Sequence, residues 1–461
     1  MKKNIKILAL VCTLLIACTA LQGCSKKGDS HTAEKIVDLD GYVFEIASSW
    51  LVDDISGASL AGWEKYFQAR RAEIENDYNC TIKIVSSDNA DARFMAGEKV
   101  CDWFESTPYV FANYVAKGYL KSYDDVEGID ISNSAWSSSI TDTFRVDGKA
   151  YGIQCMKPTE VRSALFYNKD LLKSCGVEED LVELVKNKQW TFDKFREILQ
   201  KCTDEGKKQY GLMNYDWYES FAAFIAANGG KIADIKDSKV VEGTTSKNVL
   251  NALNYYDSLC NEYKVVMINE KQRSQATFGS YEPAQAQLIQ YFLNNRVAFY
   301  FADAWVINQL VKPQEPDFEY GMIPMPMGPD ATEYTSLSSG LRAFGLSANL
   351  SDEQLEKAKV IINAFAIAPE GYEGEEWIDE SIISDYLQPG DEGSVEMYKL
   401  CQDSTFYDLA RTSGTDDLWG EFVLTCGLKP ILFRDTTISS ALEAFNGIPT
   451  ARLNSLFKFE K

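Results

Sequence analysis

The sequence predicts an α/β protein made of two units, and three observations support this fold class. First, strand-like and amphipathic helix-like stretches alternate from residue 41 to about residue 120, which is typical of a parallel sheet covered by helices on both faces. Second, the same alternation begins again at residue 164. Third, strand-like stretches such as "LRAFGLSAN" come late in the chain, where they can return to the first unit. We therefore expect two lobes joined by crossovers.

The first unit is predicted to contain three strands and two helices. Its strands are "GYVFEIASSW", "CTIKIVSS" and "VCDWFES", which are short and rich in apolar residues. The second helix, "PYVFANYVAKGYL", is expected to end at Gly118 as a C-cap. The first helix is expected to bury one face, because one set of positions recurs every three to four residues. These positions are Trp63, Tyr66, Phe67, Arg70 and Ile74.

The second unit is predicted from residue 164 onward. "ALFYNKDLLKSCGV" has the pattern of a strand followed by a helix, and "WTFDKFREILQKCTDEG" is a predicted helix with Thr191 as its N-cap. "YGLMNY" is a predicted strand that leads into the aromatic stretch "NYDWYESF" and a helix ending at "NGG". Two helices then precede "RVAFYFADAW", and "FEYGMIPMPMGPD" is a strand and turn. From about Asp352 the tail is expected to be mostly helical.

The N-terminus has the features of a bacterial lipoprotein signal. The basic segment "MKKNIK" precedes the apolar run "ILALVCTLLIACTAL", which is short for a membrane span and typical of a signal peptide. The run closes on "LQGC", which resembles a lipobox, so residues 1–23 are a predicted signal peptide and Cys24 a predicted lipidation site. Residues 24–40 are then a polar tether. We expect this lipid to anchor the protein to the outer face of the cytoplasmic membrane.

Composition excludes several classes of function. The formal net charge is −22, which argues against nucleic acid or an anionic membrane surface as a partner. The single histidine is His31, so a Ser-His-Asp or Cys-His catalytic centre and a His-ligated metal site are excluded. We expect no cofactor and no metal, and catalysis would have to rest on carboxylates. The cysteines after residue 24 are scattered, and their spacing specifies no disulfide.

Aromatic residues follow several predicted strands and point to a carbohydrate site. In open α/β sheets, ligands bind beyond the carboxyl ends of the strands. Aromatic rings suit the apolar faces of a sugar, and acids and arginines suit its hydroxyls. The candidate ligand-binding residues are Trp50, Tyr109, Glu160, Arg162, Tyr215, Trp217, Tyr218, Asp303, Trp305 and Arg342.

Packing in the core is the alternative for each of these aromatic residues. Glu160 and Arg162 can instead pair with each other, and Arg342 can brace a crossover strand. Five other tryptophans are assigned to packing, namely Trp63, Trp103, Trp190, Trp377 and Trp419.

Six stretches, in order, carry a resemblance to a known family. They are "CDWFESTPYVFANYVAKGYLKSYDD", "DGKAYGIQ", "ALFYNKDLLKSCGV" with "WTFDKFREI", "FIAANGG", "RVAFYFADAW", and "YGMIPMPMGPD" with "SSGLRAFGLSAN". Together with the lipobox, they make the chain resemble the extracellular solute-binding proteins of bacterial ABC importers, in the sugar-binding group that includes maltose-binding protein. The resemblance extends from about residue 41 to residue 366.

The resemblance implies a two-lobed fold like periplasmic-binding-protein type II, in which a hinge closes an interlobe cleft on the ligand. Carried onto this sequence, lobe one is residues 41–154 plus 342–395, and lobe two is residues 156–340 plus 396–461. It also implies that Trp305 faces the ligand and that the partners are a carbohydrate and ABC permease subunits. No chemistry is implied, so we expect a carrier and not an enzyme. We also expect a monomer.

Several alternatives remain open from the sequence. The same fold can bind a peptide or another solute, or it can present its ligand to a membrane sensor kinase instead of a permease. A different class, a surface glycoside hydrolase with paired carboxylates, would share the aromatic cleft. The number of aromatic residues favours an oligosaccharide over a monosaccharide, because each stacked ring needs its own platform.

Overall fold

Two β-sheets with helices on both faces organise the chain in the computed structural model of the protein. Asp38–Lys461 belong to one compact unit. Within the described residues, no helix is both long and apolar enough to cross a membrane. The structure describes residues 37–48, 51, 62–106, 108–154, 161, 164–214, 217–268, 282–337, 342–406, 408–412 and 418–457.

Among the described residues, the first sheet has five strands and is mixed in direction. Tyr42–Ser48 is parallel to both of its neighbours, whereas Ala343–Ser347 is antiparallel to Trp103–Ser106. This differs from the parallel arrangement that the sequence predicts. The antiparallel strand Ala343–Ser347 follows the second-sheet strands in sequence, so no single covering helix connects it to Trp103–Ser106. The strand order is Cys80–Ser86, Tyr42–Ser48, Trp103–Ser106, Ala343–Ser347, Leu120–Lys121.

Alternating side chains of the first sheet face two separate core clusters. Trp103 packs in a cluster with the helix Gly62–Asp77, and the next residue, Phe104, packs in a cluster with the helix Pro108–Ala116. This alternation follows from the two-residue period of a strand. The predicted covering of both faces is therefore confirmed for the first sheet.

The second sheet, within the described part of the chain, has four strands and is also covered on both faces. Val297–Ala302 is parallel to Tyr210–Asn214 and antiparallel to Ala164–Asn168. Phe299 and Tyr300, adjacent in the central strand, pack in different core clusters. The strand order is Tyr320–Ile323, Ala164–Asn168, Val297–Ala302, Tyr210–Asn214.

The helix ends follow the predicted capping chemistry. The helix Phe192–Lys201 begins after Thr191, whose hydroxyl accepts a hydrogen bond from the Lys194 N–H at 3.4 Å. Gly118 follows the helix Pro108–Ala116 with a φ of +74°, and its N–H donates to the carbonyl of Val115 at 3.0 Å. Both predicted caps are confirmed.

The remaining elements are helices and short ribbons around the two sheets. In the ranges that the structure describes, two-stranded ribbons pair Arg145–Val146 with Lys149–Ala150, Ala233–Lys236 with Lys239–Glu242, and Ser336–Leu337 with Thr405–Phe406. The other α-helices are Ala90–Met95, Ser138–Thr143, Lys169–Ser174, Leu181–Lys186, Trp217–Ala227, Lys247–Asp257, Glu282–Leu293, Ala304–Val306, Asp352–Phe365, Glu376–Tyr386, Glu392–Asp403, Leu409–Thr412, Leu418–Phe422, Ile438–Phe445 and Ile448–Phe457. Single turns of 3₁₀-helix are Tyr123–Asp125, Glu205–Lys207 and Lys312–Gln314, and π-helical segments are Ser258–Glu262, Ile307–Val311 and Val423–Phe433.

The helices after Ala343–Ser347 pack against elements of both sheets. The helix Glu376–Tyr386 lies against the helix Gly62–Asp77, where the Gly62 N–H donates to Asp385 Oδ2 at 2.8 Å. The helix Glu392–Asp403 packs on the second-sheet strand Tyr320–Ile323. The division between the lobes at residue 395 stays a prediction.

The cysteines of the described residues are not paired. Cys80, Cys101, Cys175, Cys202, Cys260, Cys401 and Cys426 are free thiols, and all except Cys175 are buried.

Candidate functional site

Three polar residues meet where two parallel strands of the first sheet end. Ser48 is the last residue of Tyr42–Ser48, and Glu105 lies near the end of the neighbouring strand. Arg342 directly precedes the antiparallel strand, so all three belong to the same edge of the sheet. The Ser48 hydroxyl donates to Glu105 Oε2 at 2.5 Å, and Arg342 Nε lies 3.6 Å from Glu105 Oε1.

Arg342 is held by further contacts from the helix and the crossover beside it. Its guanidinium lies over the ring of Trp63, 5.0 Å from the centroid, in a cation–π arrangement. Its carbonyl accepts a hydrogen bond from Gln154 Nε2 at 2.9 Å. Arg342 is therefore fixed by an acid, an aromatic ring and a backbone hydrogen bond.

Glu105 is a buried carboxylate with unusual electrostatics. It is only 1% exposed, and this burial raises its pKa, while the Arg342 charge and the Ser48 hydrogen bond oppose the rise. The Ser48 hydroxyl also accepts from the N–H of Leu51 at 2.8 Å.

At the carboxyl end of Tyr210–Asn214, the predicted aromatic stretch is partly core. Trp217 is 6% exposed and packs beside the rings of Phe221 and Tyr256, with centroid distances of 6.3 Å and 6.2 Å. Asn214 Nδ2 donates to the Tyr256 hydroxyl. Most of the Trp217 surface is therefore used in packing.

Tyr218 and Glu219 follow Trp217 on the same helix and are half-buried. The carbonyl of Tyr218 accepts from Trp419 Nε1 at 3.2 Å, and the two rings lie edge to face. Glu219 forms an ion pair with Arg411, in which both side chains are largely buried. The start of this helix thus carries a second carboxylate–guanidinium pair.

Asp303 and Trp305 lie together after the central strand Val297–Ala302. Trp305 Nε1 donates to Asp303 Oδ2 at 3.3 Å. Asp303 is 5% exposed, and Trp305 is half-buried against the second-sheet core. Because this strand is parallel to Tyr210–Asn214, the pair lies at the same sheet edge as the helix that carries Tyr218.

Several of the predicted residues cannot be placed by their side chains. Tyr109 is the second residue of the helix Pro108–Ala116, and only its backbone is described. The residues outside the described ranges are Trp50, Glu160, Arg162, Tyr215 and the predicted lipidation site Cys24.

Sequence reasoning did not select Glu105, Ser48 or Arg411. A charged residue inside the apolar stretch "VCDWFES" is a signal for Glu105, since a buried carboxylate needs a partner. Nothing in the sequence links Glu219 to Arg411, which lies far along the chain. Trp103, Trp190 and Trp419 are buried as predicted, whereas Trp63 also contacts the candidate residue Arg342.

The first-sheet and second-sheet regions also touch through two hairpin tips. Asp147, at the tip of the ribbon in residues 145–150, accepts hydrogen bonds from the Ser238 N–H at 3.0 Å and the Ser238 hydroxyl at 2.7 Å. Between the hairpins lies a cavity of about 180 Å³ whose lining includes Arg145, Lys231 and Asp234. Among the described residues, no group of three or more His, Cys, Asp or Glu side chains is arranged to hold a metal ion.

The chain belongs to the family of bacterial extracellular solute-binding proteins, whose sequence pattern matches residues 69–375. The resemblance predicted from the sequence is therefore confirmed at the level of this family. A comparison with curated protein sequences gives no significant match.

Solved structures of sugar-binding proteins share the fold. The sugar-binding protein MalE from Xanthomonas citri is 12% identical with a TM-score of 0.64, over 91% of this chain and 100% of that one. A cyclo/maltodextrin-binding protein complexed with maltotetraose is 15% identical with a TM-score of 0.58, over 94% and 98%. The ABC substrate-binding protein Lmo0181 from Listeria monocytogenes, in complex with cycloalternan, is 18% identical with a TM-score of 0.55, over 91% and 99%. The predicted two-lobed α/β fold class is confirmed by this likeness.

Proposed function

We propose that the protein captures a carbohydrate, and specifically an oligosaccharide, outside the cell and delivers it to the permease subunits of an ABC importer. The observation that carries this proposal is the edge shared by Glu105, Arg342 and Trp63, where an aromatic ring and a charge pair meet at the carboxyl ends of parallel strands. Ligands of open α/β sheets bind at such edges, and relatives with this fold bind maltotetraose and cycloalternan.

The proposed mechanism is binding without chemistry. Ligand contacts made to both lobes stabilise a closed arrangement, and hinge opening releases the ligand to the permease. The proposed lobes are those of the sequence prediction, residues 41–154 plus 342–395 and residues 156–340 plus 396–461. The proposed ligand-binding residues are Trp50, Tyr109, Glu160, Arg162, Tyr215, Trp217, Tyr218, Asp303, Trp305 and Arg342.

Anchoring completes the proposal. Cleavage after Gly23 and lipidation of Cys24 would hold the protein, as a monomer, at the outer face of the cytoplasmic membrane, with residues 24–40 as a tether. The support is the "LQGC" sequence behind a short apolar run. Mass spectrometry of the protein from its native membrane is the measurement, and an N-terminus other than a lipid-modified Cys24 would contradict it.

Thermal unfolding of the chain without residues 1–23, against a panel of saccharides and peptides, tests the capture of a carbohydrate. A ligand at a hundred times its dissociation constant stabilises the native state by about 2.7 kcal/mol through mass action. We expect a rise in midpoint with an oligosaccharide that is recovered intact. A rise with peptides alone would overturn the carbohydrate assignment, and a saccharide that is cleaved would mean a glycoside hydrolase.

A further inference from the structure

The buried pair formed by Glu105 and Arg342 is costly for the fold and needs a reason. A carboxylate with 1% exposure has lost almost all of its hydration, and such a charge is retained only when partners compensate it. Ser48 and Arg342 are those partners, at 2.5 Å and 3.6 Å. Among the described residues, Glu105 Oε1 accepts no hydrogen bond. The Arg342 charge therefore compensates the burial of Oε1, and the Ser48 hydroxyl compensates that of Oε2.

Two further contacts, beside that with Glu105, hold Arg342 in place. Trp63 covers one side of it at 5.0 Å, and Gln154 holds its backbone carbonyl. Arginine and lysine differ in that the planar guanidinium presents its donors in a rigid fork. A guanidinium fixed in this way offers donors in set directions to a ligand at the sheet edge.

The charge balance of the pair constrains the chemistry of that ligand. An arginine without a counter-ion would favour a carboxylate or phosphate, which it binds through two parallel hydrogen bonds. With Glu105 beside Arg342, a ligand carboxylate would meet a like charge, whereas neutral hydroxyls would not. The pair therefore suits a neutral polyol better than an anion.

We propose that Glu105 is a positioning residue for the sugar site, which holds Arg342 in a fixed orientation, neutralises its charge and so selects uncharged saccharides over acidic ones. This inference rests on the proposed function, since it assumes that Arg342 contacts a carbohydrate. Glu105 acts through Arg342 and does not itself need to touch the ligand.

The test replaces Glu105 by glutamine, which keeps the shape and the acceptor for Ser48 but removes the charge. Asp102→Asn is the matched control, because Asp102 is also fully buried, pairs with Lys99 at 2.9 Å and precedes the same strand at its opposite end. Isothermal titration uses neutral maltotetraose, cellotetraose and xylotetraose, and tetragalacturonate as the acidic probe.

We expect the wild-type protein to bind at least one neutral tetrasaccharide and to bind tetragalacturonate at least a hundredfold more weakly. Glu105→Gln should bind the neutral probe at least tenfold more weakly than the wild-type protein does. The ratio of the affinity for the neutral probe to that for the acidic probe should fall by at least tenfold. Asp102→Asn should retain both values within about twofold. A role in folding alone would not change the ratio between the two probes.

Two results would overturn the inference and leave carbohydrate capture intact: equal ratios in the wild-type protein and Glu105→Gln, or tighter wild-type binding of tetragalacturonate than of the neutral probes. If no saccharide binds the wild-type protein, the proposed function itself is wrong. Should Glu105→Gln fail to fold, Arg342→Lys keeps the positive charge without the rigid fork, and an unchanged affinity for the neutral probe in that variant would equally overturn the inference.

Discussion

Trp217 is a residue for which sequence and structure favour different roles. The sequence places it in an aromatic stretch after a strand, where a ligand would stack, and in the structure it is 6% exposed between Phe221 and Tyr256. A ring with so little exposed surface contributes to stability through its burial. Trp305 is half-buried and so keeps more exposed surface than Trp217.

Trp217→Ala is therefore expected to lower the free energy of unfolding by about 3 to 5 kcal/mol, the usual cost of removing a buried aromatic side chain. Denaturant unfolding followed by circular dichroism measures this, with Trp305→Ala as the partly exposed control, for which a smaller loss is expected. An unchanged midpoint for Trp217→Ala, together with a loss of saccharide affinity, would show that Trp217 serves ligand binding and not packing.

Asp330 connects elements that the sequence cannot show to be neighbours. It follows the strand Tyr320–Ile323, and its carboxylate accepts from Lys247 Nζ at 2.6 Å, Asn251 Nδ2 at 2.7 Å and Asn228 Nδ2 at 3.0 Å. These bonds join the ends of two helices to one turn. They lower the pKa of Asp330 to about 2.

Two positions near Asp330 require glycine, one because of close packing and the other because of its backbone conformation. A Cβ at Gly328 would lie 2.2 Å from Asn228 Oδ1, and Gly229 has a φ of +67°. The stretches "FIAANGG" and "MPMGPD", which carry much of the family resemblance, therefore meet in one structural joint that holds the helix Trp217–Ala227 in place.

The lowered pKa gives a pH-dependent prediction. Because the folded-state pKa of Asp330 is below its ordinary value near 4, its contribution to stability is complete above about pH 5 and is lost as the pH falls toward 2. We expect Asp330→Asn to reduce the free energy of unfolding by about 1 to 2 kcal/mol at pH 7 and by less at pH 3. Urea unfolding at both values is the measurement, and Asp317→Asn, at an exposed acid, is the control. Equal losses at both pH values would contradict this assignment.

The first-sheet and second-sheet regions contact each other at two places outside the sheets. Ala112 of the helix Pro108–Ala116 belongs to the same core cluster as Leu409, which follows the second-sheet region in sequence. The hydrogen bonds from Ser238 to Asp147 join the hairpin tips, and they lower the pKa of Asp147. If these contacts persist when ligand capture closes the two lobes, they add to the stability of the closed arrangement.

Asp147→Ala is expected to weaken saccharide affinity by roughly two- to tenfold, equivalent to about 0.5 to 1.5 kcal/mol for exposed hydrogen bonds. In the wild-type protein the same loss is expected to begin below about pH 4 and to be complete once the pH has fallen through the lowered pKa of Asp147, because protonation removes the charged acceptor. Titration calorimetry measures both effects. Asp125→Ala is the control, since Asp125 pairs with Lys149 within the first-sheet region. An affinity equal to wild type in Asp147→Ala would show that the tip contact does not favour closure.

The sequence by itself determined the alternation of strands and helices, the caps at Thr191 and Gly118, the acidic character and the family. These properties depend on local periodicity, on capping chemistry or on composition, which are all present in a linear chain. Even Glu105 could be noticed as a charge in an apolar strand. The direction of the late strand Ala343–Ser347 could not be predicted, because parallel and antiparallel strands of a buried sheet share the same local pattern of apolar residues.

Only the tertiary structure decided which residues meet. Arg342 lies far along the chain from Trp63 and Glu105, and Arg411 from Glu219, so no spacing rule joins them. Whether Trp217 packs in the core or faces a ligand likewise depends on side chains from other helices. The physical reason is that burial and ion pairing are set by long-range contacts, whereas sequence patterns report on neighbours within a few turns of chain.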